Sequence, residues 1–440
     1  MDYKAIFKHS DFDKFDTAII GVSGGSDSLA LLLLFDDYVK YLRNNNLHAP
    51  KIVAITIDHK LRAEAKLEAE FVKKICFKNN IVHHILEWDG SQISSNISAQ
   101  ARFNRYKILY NIAKEYTKPI ILVAHNLNDR IETFLMRKKR QSIRGLATIA
   151  PLSLLFDNIY LWRPLLNITK DDLQTYLKNK NQSWIEDPSN INIKYERALI
   201  RKKLGALNIY DIRRWISLLS KHEQERLNFN SAIAKILQNL DVYFIGECLC
   251  FSLKNNCYKN NDFIYFSLGV LASIIGGYSY VPNKAKLHLI EDLFTSSLKK
   301  INICGAIIEK KQKCDQTQFS IWRENRNIHS VKCMPNQAIL WDNRYKISNN
   351  SKNIIIARII NKNELNSFTK KIPHLYMHNT SLVIEQKNKQ HIAFASFINK
   401  KFLNVELQGL EIQRHIAIYS WLVSGFDFEI YNSLKSLFYK

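Results

Sequence analysis

The chain has 440 residues, with 63 lysines and arginines against 40 acidic residues, a formal net charge of +23. Its 46% hydrophobic and 11% aromatic content excludes wholesale disorder, and its length is that of several domains with separate cores. Such a charge predicts a polyanionic partner, nucleic acid or an anionic membrane surface; because the excess is spread along the chain, a positive face is expected instead of a disordered basic arm.

Residues 1–16, MDYKAIFKHSDFDKFD, lack the basic and apolar regions of a secretory leader. Thr17 to Val22 is a short apolar, β-branched run ending in a Gly/Ser cluster, which predicts a buried strand entering a turn. Helical spacing follows over Ser28–Asn44, a strand over Ile52–Ile57, a helix over Ala63–Lys78, a strand over Val82–Leu86 and a long helix over Ile97–Tyr116. Pro119–Ala124 predicts another strand and Leu127–Lys139 the helix after it. Strands alternating with helices of this length mean right-handed βαβ units, a parallel sheet, and a ligand at the carboxyl ends of its strands.

Further along, helices are expected over Thr169–Lys180, Tyr195–Leu204, 209–240 and Lys284–Phe294. The longest uncharged run, Phe263–Asn283, has a dense apolar part too short to cross a bilayer, so it predicts a buried helix and no membrane association. Alternating runs at Ile301–Ile308 and Phe319–Trp322 precede a β-rich region (Ile354–Ile360, Leu382–Glu385, Ile392–Ala395), and a closing helix is expected over Gln413–Val423. The seven cysteines form no CxxC pair and no zinc-ligand spacing, which points to reduced thiols in the cytoplasm; Cys248 and Cys250 alternate on one face of a strand.

The most specific feature is Ser23-Gly24-Gly25-Ser26-Asp27-Ser28, between the first predicted strand and helix. Paired glycines let the backbone approach an anion and turn its N–H groups inward, while the following helix adds a positive N-terminal end. The three serines supply hydroxyl donors. An aspartate beside phosphates implies a bridging cation, Mg²⁺. No Gly-Lys-Ser/Thr follows, so this is not a Walker A loop.

S-G-G-x-D-S after an apolar strand resembles the pyrophosphate loop of the ATP-pyrophosphatase superfamily, whose members cleave ATP to AMP and pyrophosphate while adenylating a substrate oxygen. Four further stretches resemble one branch, the tRNA(Ile)-lysidine synthetases. These are Asp58-His59-Lys60-Leu61-Arg62, Ala101-Arg102-Phe103-Asn104-Arg105-Tyr106, the run Ala124 to Thr133, and Arg163-Pro164-Leu165-Leu166 with Trp184 and Asp187-Pro188-Ser189-Asn190. They occur in order from about residue 17 to 204. That family joins free L-lysine to C2 of the wobble cytidine of an isoleucine tRNA with anticodon CAU, after ATP has adenylated the cytidine O2.

The resemblance implies an α/β fold: an N-terminal parallel-sheet domain of the adenine-nucleotide α-hydrolase-like, PP-loop kind (1–205), a mainly helical middle domain (206–330) and a small α+β C-terminal tRNA-binding domain (331–440). ATP would be held by Ser23, Gly24, Gly25, Ser26, Asp27 and Ser28 with His59, Arg62 and His125, and Mg²⁺ by Asp27 and Asp129. Asp27, Arg105, Asp129 and Glu132 would carry the chemistry. Asp129 and Glu132 lie three apart on a helix and so share a face, suited to a cation, a lysine ammonium or removal of its proton; Arg105 would neutralise charge on the α-phosphate. Lysine recognition is implied for Asp129, Glu132, Thr133 and an arginine, with spacing leaving Arg197 and Arg201 both open. Arg137, Lys138, Lys139, Arg140, Arg144, Lys202 and Lys203 would grip tRNA phosphates. The oligomeric state is left open, a homodimer being compatible. Asn128 stands where that family has Asp, Arg130 where it has Gln, and its R-G-S-G loop is shortened to Arg140-Gln141-Ser142-Ile143, which predicts a less acidic site. The alternatives are another PP-loop tRNA-modifying enzyme or a non-catalytic RNA-binding relative.

Overall fold

The computed structural model describes residues 2–58, 65–88, 97–142, 144–186, 196–204, 208–254, 261–371, 380–386, 389–394, 397–398, 401–402 and 409–439. The chain forms two compact units, Met1–Leu227 with Trp421–Phe426, and Asn228–Ser420 with Asp427–Lys440.

The first unit runs α1 (Tyr3–Ile6), β1 (Thr17–Gly21), α2 (Ser26–Asn44), β2 (Lys51–Asp58), α3 (Ala65–Lys78), β3 (Val82–Glu87), α4 (Ile97–Ala113), β4 (Pro119–Leu122) and α5 (Leu127–Lys139). It continues through β5 (Leu152–Leu155), β6 (Ile159–Trp162), α6 (Lys170–Asn179), α7 (Glu196–Leu204) and the start of α8 (Ile209–Asn239). Strands β6, β4, β1, β2 and β3 lie side by side and parallel, as the βαβ alternation requires. Beyond β6 come antiparallel β5 and, at the edge, the strand Leu422–Ser424.

Both faces of this sheet are covered, which is why β1 reads as a continuous apolar run rather than an alternating one. Ala18 and Ile20 face a core built with Leu31, Phe35 and Tyr38 of α2 and Leu173 and Leu177 of α6. Ile19 faces the opposite core, with Tyr106 and Leu109 of α4 and Leu161 of β6. The chain passes from β1 to β2 and β3 on one side, then returns to place β4 on the other. That reversal, between the carboxyl ends of β1 and β4, is where such sheets leave a crevice.

The second unit contains β7 (Tyr243–Gly246), β8 (Cys248–Lys254), α9 (Asp262–Ile275), α10 (Lys284–Thr295), β9 (Lys300–Ile303), β10 (Ala306–Gln312) and β11 (Gln316–Arg323). These are followed by β12 (Val331–Cys333), β13 (Gln337–Trp341), β14 (Tyr345–Asn349), β15 (Ile355–Ile359), α11 (Lys362–Lys371) and β16 (Leu382–Gln386). The last elements are β17 (Lys389–Phe394), β18 (Phe397–Ile398), β19 (Lys401–Phe402), β20 (Leu410–Arg414) and α12 (Phe428–Phe438). They make one antiparallel sheet ordered β19-β18-β7-β8-β11-β10-β9 and two smaller ones, β12-β15-β16-β17 and β13-β14-β20. The uncharged run forms the buried helix α9; among the described residues no helix is long and apolar enough to cross a membrane. Cys248 and Cys250 share one face of β8 as expected, their sulfurs 3.8 Å apart.

Two stretches differ from their sequence expectations. Residues 206–330, expected to be mainly helical, hold α8, α9 and α10 but also β7–β11, because short apolar runs such as that of β7 suit a strand or the end of a helix equally. Gln413–Val423 is not a helix. Gln413 and Arg414 end β20, pairing with Lys346 and Tyr345 of β14, and the closing helix is α12. β-branched Ile412 favours the extended path there, and the rest of the stretch forms only a short 3-10 turn, Ala417–Tyr419, before the edge strand Leu422–Ser424.

Candidate active site

The phosphate loop leaves β1 with Val22 N bonded to Ile55 O at 2.8 Å, so the sheet ladder still fixes its start. Gly24 has φ +81°, open to glycine at little cost, and a Cβ there would sit 3.2 Å from Ile185 Cδ1. Gly25 is the N-cap of α2 and carries no capping side chain. Ser28 Oγ folds back, donating to Gly25 O at 3.0 Å and accepting from Ser23 N at 3.1 Å, with Ser23 Oγ at 3.2 Å. The serines thus hold the loop as well as lining it. Ile185 N donates to Gly24 O at 3.0 Å, so the chain just after Trp184 closes over the loop.

Asp27, in the first turn of α2, accepts from Ser26 Oγ at 3.3 Å. Burial pushes its carboxyl up from an ordinary 3.8 to about 6, and the nearby charge of Asp129 adds to the rise against the opposing effect of Lys170. Asp129 belongs to the helix across the switch point. Asn126 caps α5 in a reciprocal box: Asp129 N donates to Asn126 Oδ1 at 3.0 Å, and Asn126 N donates to Asp129 Oδ2 at 3.2 Å. The other oxygen of Asp129 faces Arg197 at 3.3 Å.

One turn on, Glu132 is almost wholly buried, its side chain 1% exposed. It accepts Arg201 Nε at 2.8 Å on one oxygen and pairs with Arg197 Nε at 2.9 Å on the other. The four-residue spacing of Arg197 and Arg201 on α7 puts both on one face, so the two arginines open in the sequence both meet the acidic pair. They stay about four-tenths exposed, at 43% and 37%, within reach of a ligand. Thr133 Oγ1 instead donates back to Asp129 O at 2.7 Å, inside the helix.

His125, just beyond β4, has its Nδ1 buried without a hydrogen-bond partner among the described residues. Burial, with the fields of Arg102, Arg163, Arg197 and Arg105, holds its imidazole well below the ordinary range, hence neutral. Arg105 itself is exposed, and Arg102 donates to Tyr106 Oη at 3.1 Å. This convergence of arginines from α4, α7 and the end of β6 went unread in the sequence except at Arg105, Arg197 and Arg201. Its signal was the pair Arg102 and Arg105, three apart on one helix face, and Arg163 at the head of the Arg163-Pro164-Leu165-Leu166 motif.

The predicted tRNA-contacting residues separate into two kinds. Lys138, Lys139 and Arg140 are exposed at the end of α5, the last two paired with Glu196 at 3.6 and 2.7 Å. Arg137 turns inward, donating to Gly145 O at 2.8 Å and Thr148 O at 3.0 Å and so fastening the turn in which Arg144 lies partly buried. His59 and Arg62 lie outside the described residues, as do the side chains of Lys202 and Lys203. The half of the expected loss of acidity assigned to Arg130 does not follow, because Arg130 is buried against Glu223 at 2.5 Å, outside the acidic cluster; Asn128 Oδ1 accepts Lys170 N at 3.0 Å.

Residues 2–207 match the family model described as PP-loop domain. Proteins named tRNA(Ile)-lysidine synthase from Brucella canis, Brucella suis biovar 1 and Brucella ovis are each 32% identical to this chain, over 98% of it and 96% of their own length. Among solved structures, the U34-tRNA thiolase NcsA from Methanococcus maripaludis aligns with a TM-score of 0.40 at 18% identity, over 50% of this chain and 76% of its own.

Proposed function

The chain belongs to the tRNA(Ile)-lysidine synthase family, and from that premise we propose that it ligates L-lysine to C2 of the wobble cytidine in a CAU-anticodon isoleucine tRNA. It is a ligase built on a PP-loop ATP-binding domain. In the first step the cytidine O2 attacks the α-phosphate of ATP and pyrophosphate leaves. In the second, the lysine ε-amine attacks C2, its proton departs, and AMP leaves carrying O2. The observation that carries this reading is the meeting of Asp27, from the phosphate loop, with Asp129 across the switch point, beside a Glu132 held by two reachable arginines.

The loop Ser23–Ser28 and the N-terminal end of α2 receive the departing pyrophosphate, with the Ser23 amide kept for Ser28 Oγ. Two crowded carboxylates, one with its ionisation resisted by the other, suit a hard divalent cation, so Asp27 and Asp129 would hold Mg²⁺. When bound, that ion neutralises phosphate oxygens. Arg105, with Arg102 and Arg163 around neutral His125, stabilises charge building on the α-phosphate. His59 and Arg62 belong with the adenine in the same reading.

Lysine is bipolar, and so is the acidic pair with its arginines. The α-carboxylate is taken by Arg197 and Arg201, and the ammonium by Asp129 and Glu132, with Thr133 lining the same turn. The ε-amine, of reference pKa about 10.4, must lose a proton before it attacks, and we assign its acceptance to one carboxylate of this pair. Lys138, Lys139 and Arg140, with Arg144, Lys202 and Lys203, attract the tRNA backbone, while Arg137 fastens the turn beside them. A tRNA substrate, and cysteines with neither CxxC nor zinc-ligand spacing, support a cytoplasmic activity.

The test incubates the protein with radiolabelled lysine, Mg-ATP and isoleucine tRNA transcripts. Label is expected only on a transcript with a wobble cytidine, together with AMP and pyrophosphate. Label on a wobble-uridine transcript, or RNA binding with no AMP formed, would favour a different PP-loop tRNA-modifying enzyme or a non-catalytic relative.

A further inference from the structure

Asp129 is flanked by two residues that reach away from the site. On one side, Asn128 Oδ1 accepts Lys170 N at 3.0 Å, at the start of α6. On the other, Arg130 NH1 donates to Asn167 Oδ1 at 2.5 Å and Leu166 O at 3.3 Å. Leu127 N adds a bond to Ile168 O at 2.9 Å. The first turn of α5 is thereby sewn to the segment 166–170 before Asp129 and Glu132 emerge from its other face.

Arg130 has a second arm. Its NH2 meets Glu223 Oε1 of α8 at 2.5 Å, with the arginine side chain 3% exposed and the glutamate 19%. The pair borders a cavity of about 140 Å³, also lined by Trp162, Arg163, Pro164 and Asn167. A roll of α5 would swing Asp129 away from Asp27 and Glu132 away from its arginines. A planar guanidinium bonded on two sides resists that motion better than a single contact does.

We propose that Arg130 is a positioning residue for lysine recognition: locked between Asn167 and Glu223, it sets the roll of α5 that aims Asp129 and Glu132 into the site. The inference rests on the reading that those two carboxylates receive lysine. Arg130 itself touches no substrate. Removing either partner leaves the other's buried charge unmatched, so both single variants loosen the lock and together they act as one.

Steady-state lysidine formation would be compared for R130M, E223M, the double variant, R130K and E132Q, each with a melting temperature. R130M and E223M are expected to raise the KM for lysine about tenfold while the KM for ATP moves less than about twofold. The double variant should be no worse than either single, and R130K, with the charge but without the fork, should fall between parent and R130M. A folded R130M with an unchanged lysine KM overturns the inference, as do additive effects in the double variant. So does a parallel shift of both KM values and kcat that merely tracks thermal stability. E132Q separates the two claims: if it leaves the lysine KM unchanged, the lysine reading falls and this inference with it; if it raises that KM while R130M does not, this inference alone falls.

Discussion

Replacing Asp27 with asparagine removes a charge that the fold resists. The carboxyl rises from 3.8 to about 6 on folding, because burial and then Asp129 oppose ionisation. The folded state therefore binds a proton that the unfolded state releases between those two pH values. Ionised Asp27 lowers stability at pH 7; that penalty fades as pH falls through about 6 and is gone below about 4. A rise of about two units sets an upper bound of about 3 kcal/mol, and partial access to water reduces it to roughly 1–2 kcal/mol. For a unit of this size, D27N should then melt on the order of 5 °C higher than the parent at pH 7 without magnesium. The two should converge near pH 4. The same variant should form no AMP while still binding tRNA, since the lost carboxylate is the one we assign to the metal beside the phosphates. Melting curves over this pH range, with AMP formation measured alongside, check both halves. An unchanged melting temperature at pH 7 would refute the crowding of Asp27 and Asp129. Sustained AMP formation would refute the role of Asp27.

Glu132→Gln keeps the shape of a buried side chain but leaves Arg197 and Arg201 without their counter-charge; because both arginines are partly solvated, the expected loss is only about 1–2 kcal/mol, against a rise of about tenfold or more in the KM for lysine, read by thermal melts and steady-state kinetics. Gly24→Ala forces a side chain onto a φ of +81° beside Ile185, costing about 1–2 kcal/mol locally, and should raise the KM for ATP more than that for lysine. Lys138→Ala should weaken tRNA binding and reduce the salt dependence of its affinity by about one unit of slope. Arg137→Ala should lower the melting temperature instead, because its guanidinium fastens Gly145 and Thr148, and titrations at several salt concentrations distinguish the two.

The catalytic unit was largely legible because its signals are local. An apolar run ending in Ser-Gly-Gly-Ser-Asp-Ser carries its own strand, turn and helix start, and α5 begins and ends at its expected residues, Leu127 and Lys139. Pairing across distance was not legible. Nothing in Leu422–Ser424 announces that it edges a sheet begun some 400 residues earlier, since an edge strand three residues long has no period of its own. The hairpin β5–β6 hides for a related reason: its turn places Phe156 and Asp157 at positive φ, without the Asn-Gly or Asp-Gly that marks such turns. At the site, residue types were readable but their directions were not. Arg130 read as an added cation among the carboxylates, whereas its side chain runs to Glu223. Arg197 and Arg201 could not be separated by spacing, and Glu132 meets both.

The proposed reaction turns on what becomes of the wobble cytidine. Isoleucine tRNA transcript treated with the protein, Mg-ATP and lysine would be digested to nucleosides and analysed by mass spectrometry, with the cytidine O2 carrying heavy oxygen. The account predicts a wobble nucleoside heavier than cytidine by lysine less water, with the heavy oxygen recovered in AMP. An unmodified cytidine, or a modified nucleoside whose O2 remains in the tRNA, would contradict it.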